Sequence, residues 1–542
     1  MPVIELSVKE LNALIGEQVS LERLVDSITH MGADVESADE KTITVEFFPD
    51  RPDLLSVEGT ARALRAFLGI TPGLKTYDLN PAKSELTVDP SIIPIRGLVE
   101  CLVVKDVRLN DDLLKGLMEI QEDLHWALGR DRKKVAIGVH DSSKLMPPYV
   151  YRAAAPDEIR FKPLGMTGEE LNLGEILQKH PKGVEYASII DCFDKYPIIL
   201  DSAGEVLSMP PIINGELTKL TEDTTEIFVE MTGTDARAVR FAMNILASAF
   251  AEHTWTLSHV SVKYPDKIVE TPDLTPVKRR LSVDYSNRML GLNLTADDMK
   301  SCLEKKGYGA EAAGDELIVS VPAYRADILH DIDLVEDVAI GYGFENFEPV
   351  LPALSRTGSR LPAESVVRKA RQAMLGLGFT EVMTLMLTNE TSNSEQMGIA
   401  DEAVSVQNPI SIEHTIIRTH LLPSLLEVLY INRHHELPQL IFEAGEVLNL
   451  DAVSETGARC ERRLAAVIVH GKANFSEIKS IFNAVLRDLG IDGEITELEH
   501  PSFIPGRCAG IEGVGYFGEL HPKVLTNFGL EYPAVALEIT LK

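Results

Sequence analysis

The chain has 542 residues, with 83 acidic and 52 basic side chains and a formal charge of −31 at pH 7. An apolar fraction of 45% with 25% charged residues excludes a disordered chain, and the length implies three to four domains. The acidity excludes a protein that coats nucleic acid or an anionic membrane by bulk electrostatics, but not one with local basic patches.

The start, Met1-Pro2-Val3-Ile4-Glu5, has neither a basic leader nor an apolar h-region, and no run approaches about 18 apolar residues. Cys101, Cys192, Cys302, Cys460 and Cys508 are isolated and odd in number, against a disulfide framework or a structural zinc site. These features suggest a soluble, cytoplasmic protein with no membrane segment.

Residues 1–85 form the first expected domain. Helical patterns begin at Ser7 and at Ser20, a capping-type serine. Thr42 to Phe47 alternates like a strand, Phe48 to Asp53 is a turn, and Leu54 to Leu68 is a helical run. The stretch Thr71 to Pro90, rich in Pro, Asn and Asp, is expected to be a linker.

Residues 90–262 read as a second, mixed α+β domain. Strands are expected at Val99 to Val107, Val135 to Val139 and Ile227 to Met231, and helices at Met118 to Leu128 and Ala236 to Ala251. The motif Gly138-Val139-His140-Asp141 ends a strand; it offers a His–Asp pair or, as preferred here, a surface turn. No nucleophile motif accompanies it. Ser208 to Glu216 and Glu230 to Asp235 bring polar side chains to two loops. The second suits a helix cap more simply than a recognition loop. Arg130-Asp131-Arg132-Lys133-Lys134 and Lys278-Arg279-Arg280 are short basic runs, and neither a P-loop nor a Rossmann fingerprint is present.

Residues 268–350 divide by charge: Lys278 to Lys306 is basic, whereas Gly307 to Val350 holds ten acids and one arginine. A helix from Asp331 would put Asp333, Glu336 and Asp337 on one face, with Asp327 folded back toward them. Such a cluster suits an oxygen-loving cation such as Mg²⁺, or simply complements a helix N-terminus. Arg325 is an alternative ion-pair partner. Residues 355–542 show helices at Ala363 to Leu377, Leu421 to Asn432 and Phe475 to Leu489. Strands are expected at Thr380 to Thr388, Gln439 to Leu450 and Arg463 to His470.

In order along the chain stand Pro49-Asp50-Arg51-Pro52-Asp53-Leu54, Ala136-Ile137-Gly138-Val139-His140-Asp141, and Pro322-x-x-Arg325-x-Asp327 with Asp333-x-x-Glu336-Asp337. They are followed by Gly378-Phe379, Asn408-Pro409, Arg418-Thr419-x-Leu421-Leu422-Pro423 and Gly518-Glu519-Leu520-His521-Pro522. Over its whole length the chain resembles the beta subunits of phenylalanine–tRNA ligase, in their shorter archaeal/eukaryotic form. The resemblance implies a multidomain α+β architecture: an N-terminal α+β domain, an editing-type α+β domain, a winged-helix-like Mg²⁺-binding domain and a degenerate class II synthetase-like antiparallel core. It assigns Mg²⁺ to Asp327, Asp333, Glu336 and Asp337. It assigns hydrolysis of tRNA mischarged with tyrosine to a pocket for which Ser208, Asn214, Glu230 and Thr232 are the candidates.

The late glycines, Gly513 to Gly518, lack a following arginine, so no aminoacylation site is expected on this chain. ATP and phenylalanine are expected on a catalytic alpha subunit, in an (αβ)₂ assembly that charges tRNA(Phe). Two rival readings are an RNA-associated scaffold without editing and a metal-dependent hydrolase built on the acidic helix.

Overall fold

The computed structural model describes residues 2–166, 168, 170–353 and 357–542. Ser355, the expected start of the fourth domain, lies outside the described residues. The chain forms two compact units, Met1–Val350 and Leu351–Lys542.

The first unit opens with a three-stranded antiparallel sheet in which Thr42–Glu46 lies between Val3–Ser7 and Asp34–Ala38. Ser7, Ser20 and Ser56 cap the helices Val8–Ile15, Leu21–His30 and Val57–Phe67 by accepting backbone N–H groups. Leu6, Leu11, Leu24, Ile28, Val45 and Leu64 are buried between these helices and the sheet.

A ten-stranded sheet follows, and it draws in chain from outside the expected second domain. Asn80–Val88 is a strand, not linker, running parallel to both Thr256–Lys263 and Tyr149–Ala154. Glu226–Gly233 pairs with Leu98–Lys105 on one side and Val135–Asp141 on the other. Its alternation sorts the faces. Ile227, Val229 and Met231 pack with the helices Asp111–Ala127 and Ala236–Phe250, whereas Phe228 joins Tyr149 and Tyr151 in another core. Asp235 caps Ala236–Phe250, accepting from Arg237 and Ala238 N–H, so the cap expectation holds. The sheet curls until its end strands approach, and Asn214 Nδ2 donates to the Val139 carbonyl at 3.4 Å.

Past the large sheet, Glu316–Val321 lies between Val277–Ser282 and Gly309–Ala313, all antiparallel. The helices Ala296–Lys305 and Asp331–Tyr342 bury Met299, Leu303, Leu334 and Val338 with Leu281, Leu317 and Val319.

The second unit is a seven-stranded sheet built on the long pair Gln439–Leu450 and Ala458–Val469. Helices Pro362–Gly376 and Phe475–Leu489 pack in one apolar core of this unit, and Leu422–Ile431 and Pro522–Asn527 in another. The expected strand Thr380 to Thr388 breaks up. Only Thr380–Glu381 joins the large sheet and Leu387–Thr388 pairs elsewhere, with Ile416–Ile417. Among the described residues no helix is long and apolar enough to cross a membrane.

Candidate functional site

Where the ends of the ten-stranded sheet meet, a cavity of about 1020 Å³ opens. Ser208, Asn214 and Glu230 line it, reached from three different strands. Ser208 Oγ donates to Glu230 Oε1 at 2.8 Å, while Glu230 Oε2 is buried without a partner among the described residues. His140 is fully buried beside them. Its Nδ1 lies 2.8 Å from Thr218 Oγ1, and its Nε2, 3.8 Å from Glu230 Oε1, has no hydrogen-bond partner among the described residues. The surface turn expected here is therefore absent: His140 and Asp141 are both buried. Asp141 turns to Ser143 and Lys144, so the two form no His–Asp pair.

Thr232 does not line this cavity. It is fully buried, and Arg96 holds it through Nε to its hydroxyl (3.1 Å) and Nη2 to its carbonyl (2.9 Å). Strand alternation puts it two residues from Glu230 on the same face, but one strand repeat further along the sheet.

Residues from elsewhere complete the wall. Gln121 donates to the Ile137 carbonyl, and His125 Nε2 accepts from Ile137 N–H, both at 2.8 Å. Arg132 donates to the Ile212 carbonyl at 3.0 Å and to Glu122 at 2.7 Å, its guanidinium 4.5 Å from the Tyr186 ring centre. Arg130, Asp131 and Arg132 have φ of 50°, 53° and 65°. Three successive left-handed residues cost on the order of 1–2 kcal/mol each, and here they turn Arg132 inward. Helical periodicity in Asp111–Ala127 carries Gln121 and His125 but says nothing of the cavity they face.

The acidic helix is arranged differently from expectation. Asp333 Oδ2 accepts from Leu329 and His330 N–H at 2.7 Å each, closing the N-terminus of Asp331–Tyr342. Arg325 forks onto Asp327 (2.9 and 2.7 Å) and reaches Asp337 with Nη2 at 2.5 Å. Asp337 also accepts from the Tyr308 hydroxyl and lies 3.3 Å from Lys306 Nζ. Burial alone would raise the Asp337 pKa, but Arg325, Lys306 and Arg51 outweigh it and hold the carboxyl well below its ordinary range.

Glu336 is the exposed member, and its pKa is raised by burial of part of the side chain and by Asp337, Asp50 and Asp333. Among the described residues no group of three or more His, Cys, Asp or Glu side chains is placed to hold a metal. The four acids do not converge, because Asp327 and Asp337 are committed to Arg325. Asp333 Oδ1 and Glu336 remain, a donor set that suits Mg²⁺ only as a cation keeping several waters.

In the second unit, buried and half-buried charges pair internally. Arg463 meets Glu538 at 2.9 Å, Arg418 meets Glu443 at 2.8 Å, and His420 Nε2 meets Asp401 at 2.6 Å.

Three family models match the chain: the B3/4 domain over residues 118–255, the tRNA synthetase B5 domain over 279–344, and the phenylalanyl tRNA synthetase beta chain CLM domain over 348–541. The phenylalanine–tRNA ligase beta subunits of Methanothrix thermoacetophila and Archaeoglobus fulgidus are each 44% identical to it. Both alignments cover 100% of this chain, and 100% and 98% of those proteins respectively. The solved N-terminal fragment of the phenylalanyl-tRNA synthetase beta-subunit from Pyrococcus horikoshii superposes with a TM-score of 0.61 at 37% identity. That match covers 63% of this chain and 99% of the fragment. With its motifs, multidomain α+β fold and full-length relatives in agreement, the chain belongs to the phenylalanine–tRNA ligase beta-subunit family.

Proposed function

We propose that this chain is the non-catalytic beta subunit of a phenylalanine–tRNA ligase, and that its large cavity hydrolyses tRNA(Phe) mischarged with tyrosine. The observation that carries the editing reading is the buried, half-satisfied carboxylate of Glu230 at the cavity wall. A tyrosine hydroxyl would donate to Glu230 Oε2. Phenylalanine has no such group and would leave the carboxylate unpaired. A site built to hydrogen-bond a hydroxyl rejects the analogue lacking it by about 10⁴–10⁵-fold, far more than an apolar pocket achieves against an added hydroxyl. Ser208 fixes the carboxylate and Asn214 joins the two sheet ends, so both act on substrate placement. Thr232 acts at one remove, through Arg96. Hydrolysis then proceeds by a water attacking the aminoacyl ester, without a covalent enzyme intermediate.

The catalytic alpha subunit is proposed as a separate partner in an (αβ)₂ assembly, binding ATP and phenylalanine. Two features support this division. Arg418 and Arg463 of the second unit are engaged by internal carboxylates. In addition, Met383, Leu385 and Leu387 expose alternate apolar side chains (93% and 68% for the first two), and Ile410 and Ile412 are exposed as well. Large apolar side chains left this exposed favour a protein interface. For Mg²⁺, the proposed holders are Asp333 and Glu336, with Asp327 and Asp337 behind them. The cation would neutralise crowded carboxylates and has no part in the hydrolysis.

The test uses the αβ enzyme with Tyr-tRNA(Phe). Glu230→Ala and Ser208→Ala should abolish deacylation and leave Phe-tRNA(Phe) formation intact. Unchanged deacylation would sink the editing reading, and adenylate formation by the lone chain would sink the division of labour.

A further inference from the structure

A second, small cavity of about 30 Å³ lies in the first unit, between the helix Val57–Phe67, the loop at Thr71 to Lys75, and Lys306 with Tyr324. Arg51, Arg62, Arg65, Lys75 and Lys306 line it, against one carboxylate, that of Asp53. Each of the first four is anchored from behind. Arg51 forks onto Asp53 at 2.9 Å through both contacts. Arg62 donates to the Asp53 carbonyl (3.2 Å) and Ser248 (3.1 Å), and lies 3.8 Å from the Tyr324 ring centre. Arg65 and Lys75 converge on Glu252.

Lys306 is held more loosely, by an ion pair with Asp337. Its side chain is 3% exposed and sits 3.3 Å from Asp337, yet Nζ makes no hydrogen bond among the described residues. Five cations around one small space meet three carboxylates, Asp53, Glu252 and Asp337, and the net positive charge that remains favours entry of a negative group. The loop fits over this space because Gly73, at φ 93°, donates its N–H to the Glu304 carbonyl at 2.7 Å.

We propose that this cavity binds a single tetrahedral oxyanion, inorganic phosphate or its equivalent, between Lys306 and the guanidinium groups of Arg51 and Arg62. A space this small excludes a nucleotide, and one such ion would need the exposed Lys75 at the mouth to swing aside. Lys75, with 41% of its side chain exposed, stands at the mouth, and Lys306 closes the floor. The ion would hold together the N-terminal helices and the segment around Tyr324, which are remote in sequence.

The experiment titrates the full-length chain with inorganic phosphate at constant ionic strength, read by calorimetry and by ³¹P line width. One saturable site with a Kd at or below about 1 mM is expected. Lys75→Ala should weaken it about tenfold, as should Lys306→Met where circular dichroism shows the variant folded. No saturable binding overturns the proposal. So does binding that both substitutions leave unchanged, or chloride competing as well as sulfate does.

Discussion

Gly138 faces Glu230 across adjacent antiparallel strands, and a Cβ on Gly138 would stand 2.3 Å from Glu230 Oε1 and 2.7 Å from His140 Nε2. The backbone at this glycine is ordinary in φ. What the position demands is the space beside a carboxylate.

Gly138→Ala should therefore displace the Glu230 carboxylate while leaving the strand in place. Displacement of a positioning group by about 1 Å costs on the order of 10²-fold in rate. The variant αβ enzyme is expected to lose Tyr-tRNA(Phe) deacylation on that scale and to keep Phe-tRNA(Phe) synthesis. The accompanying loss of stability should be about 1–3 kcal/mol, as for other overpacked sites. Wild-type deacylation rates in this variant would show that Glu230 is not held where hydrolysis needs it.

Asp337→Asn is expected to be among the most damaging single substitutions in the first unit. It strips the countercharge from buried Arg325 and Lys306, and breaking such a pair costs about 3–5 kcal/mol. The Asp337 carboxyl is depressed below its ordinary value of 3.8. Its stabilisation is thus complete above that value and lost as pH falls beneath it. Urea unfolding at neutral and acidic pH checks both statements; equal midpoints for the two proteins at pH 7 would contradict them.

His420 supplies a dependence of the opposite sign. Burial would lower its pKa from 6.5, but hydrogen bonds to Asp401 and Glu538 raise it to about 9. The bound proton stabilises the fold fully below pH 6.5, and this stabilisation disappears as pH rises through about 9. Thermal unfolding of the second unit should weaken between pH 6.5 and 9, and His420→Gln should flatten that slope. A variant with the parental slope would assign the dependence to another group.

Met383→Ser with Leu385→Ser removes two largely exposed apolar side chains. Stability of the isolated chain should change by less than about 0.5 kcal/mol, as for other surface substitutions. Co-purification with the alpha subunit should fall sharply. Undiminished pull-down of the alpha subunit would move the interface elsewhere.

Much of the fold was legible where local signals agree. Asn474 as a cap, apolar residues at helical spacing and Gly490 at φ 70° delimit Phe475–Leu489 as expected from sequence. Legibility failed where pairing is non-local. Asn80–Val88 carries Pro81 and polar residues, and it becomes a strand because Thr256–Lys263 and Tyr149–Ala154, far along the chain, run beside it. Thr380 to Thr388 fails in the other direction: β-forming residues are present, but a strand partner is available for only two at each end.

The cavity follows the same division. Ser208, Asn214 and Glu230 could be placed through motif resemblance. Gln121, His125, Arg132 and Thr218 are brought together only by the curl of the sheet. The acids were legible as a cluster, and Arg325 as an ion-pair partner for them, but not the buried Lys306 beside Asp337.

Arg62 and Tyr324 add a matter of timing. The guanidinium needs a ring that the ribosome makes roughly 260 residues later. At about 5–20 residues per second, the wait runs to tens of seconds. Through that interval the N-terminal helices carry an arginine-rich face with part of its cover missing. A nascent chain in that state is exposed to stray polyanions and to proteases, and slow translation between residues 70 and 320 would lengthen the exposure.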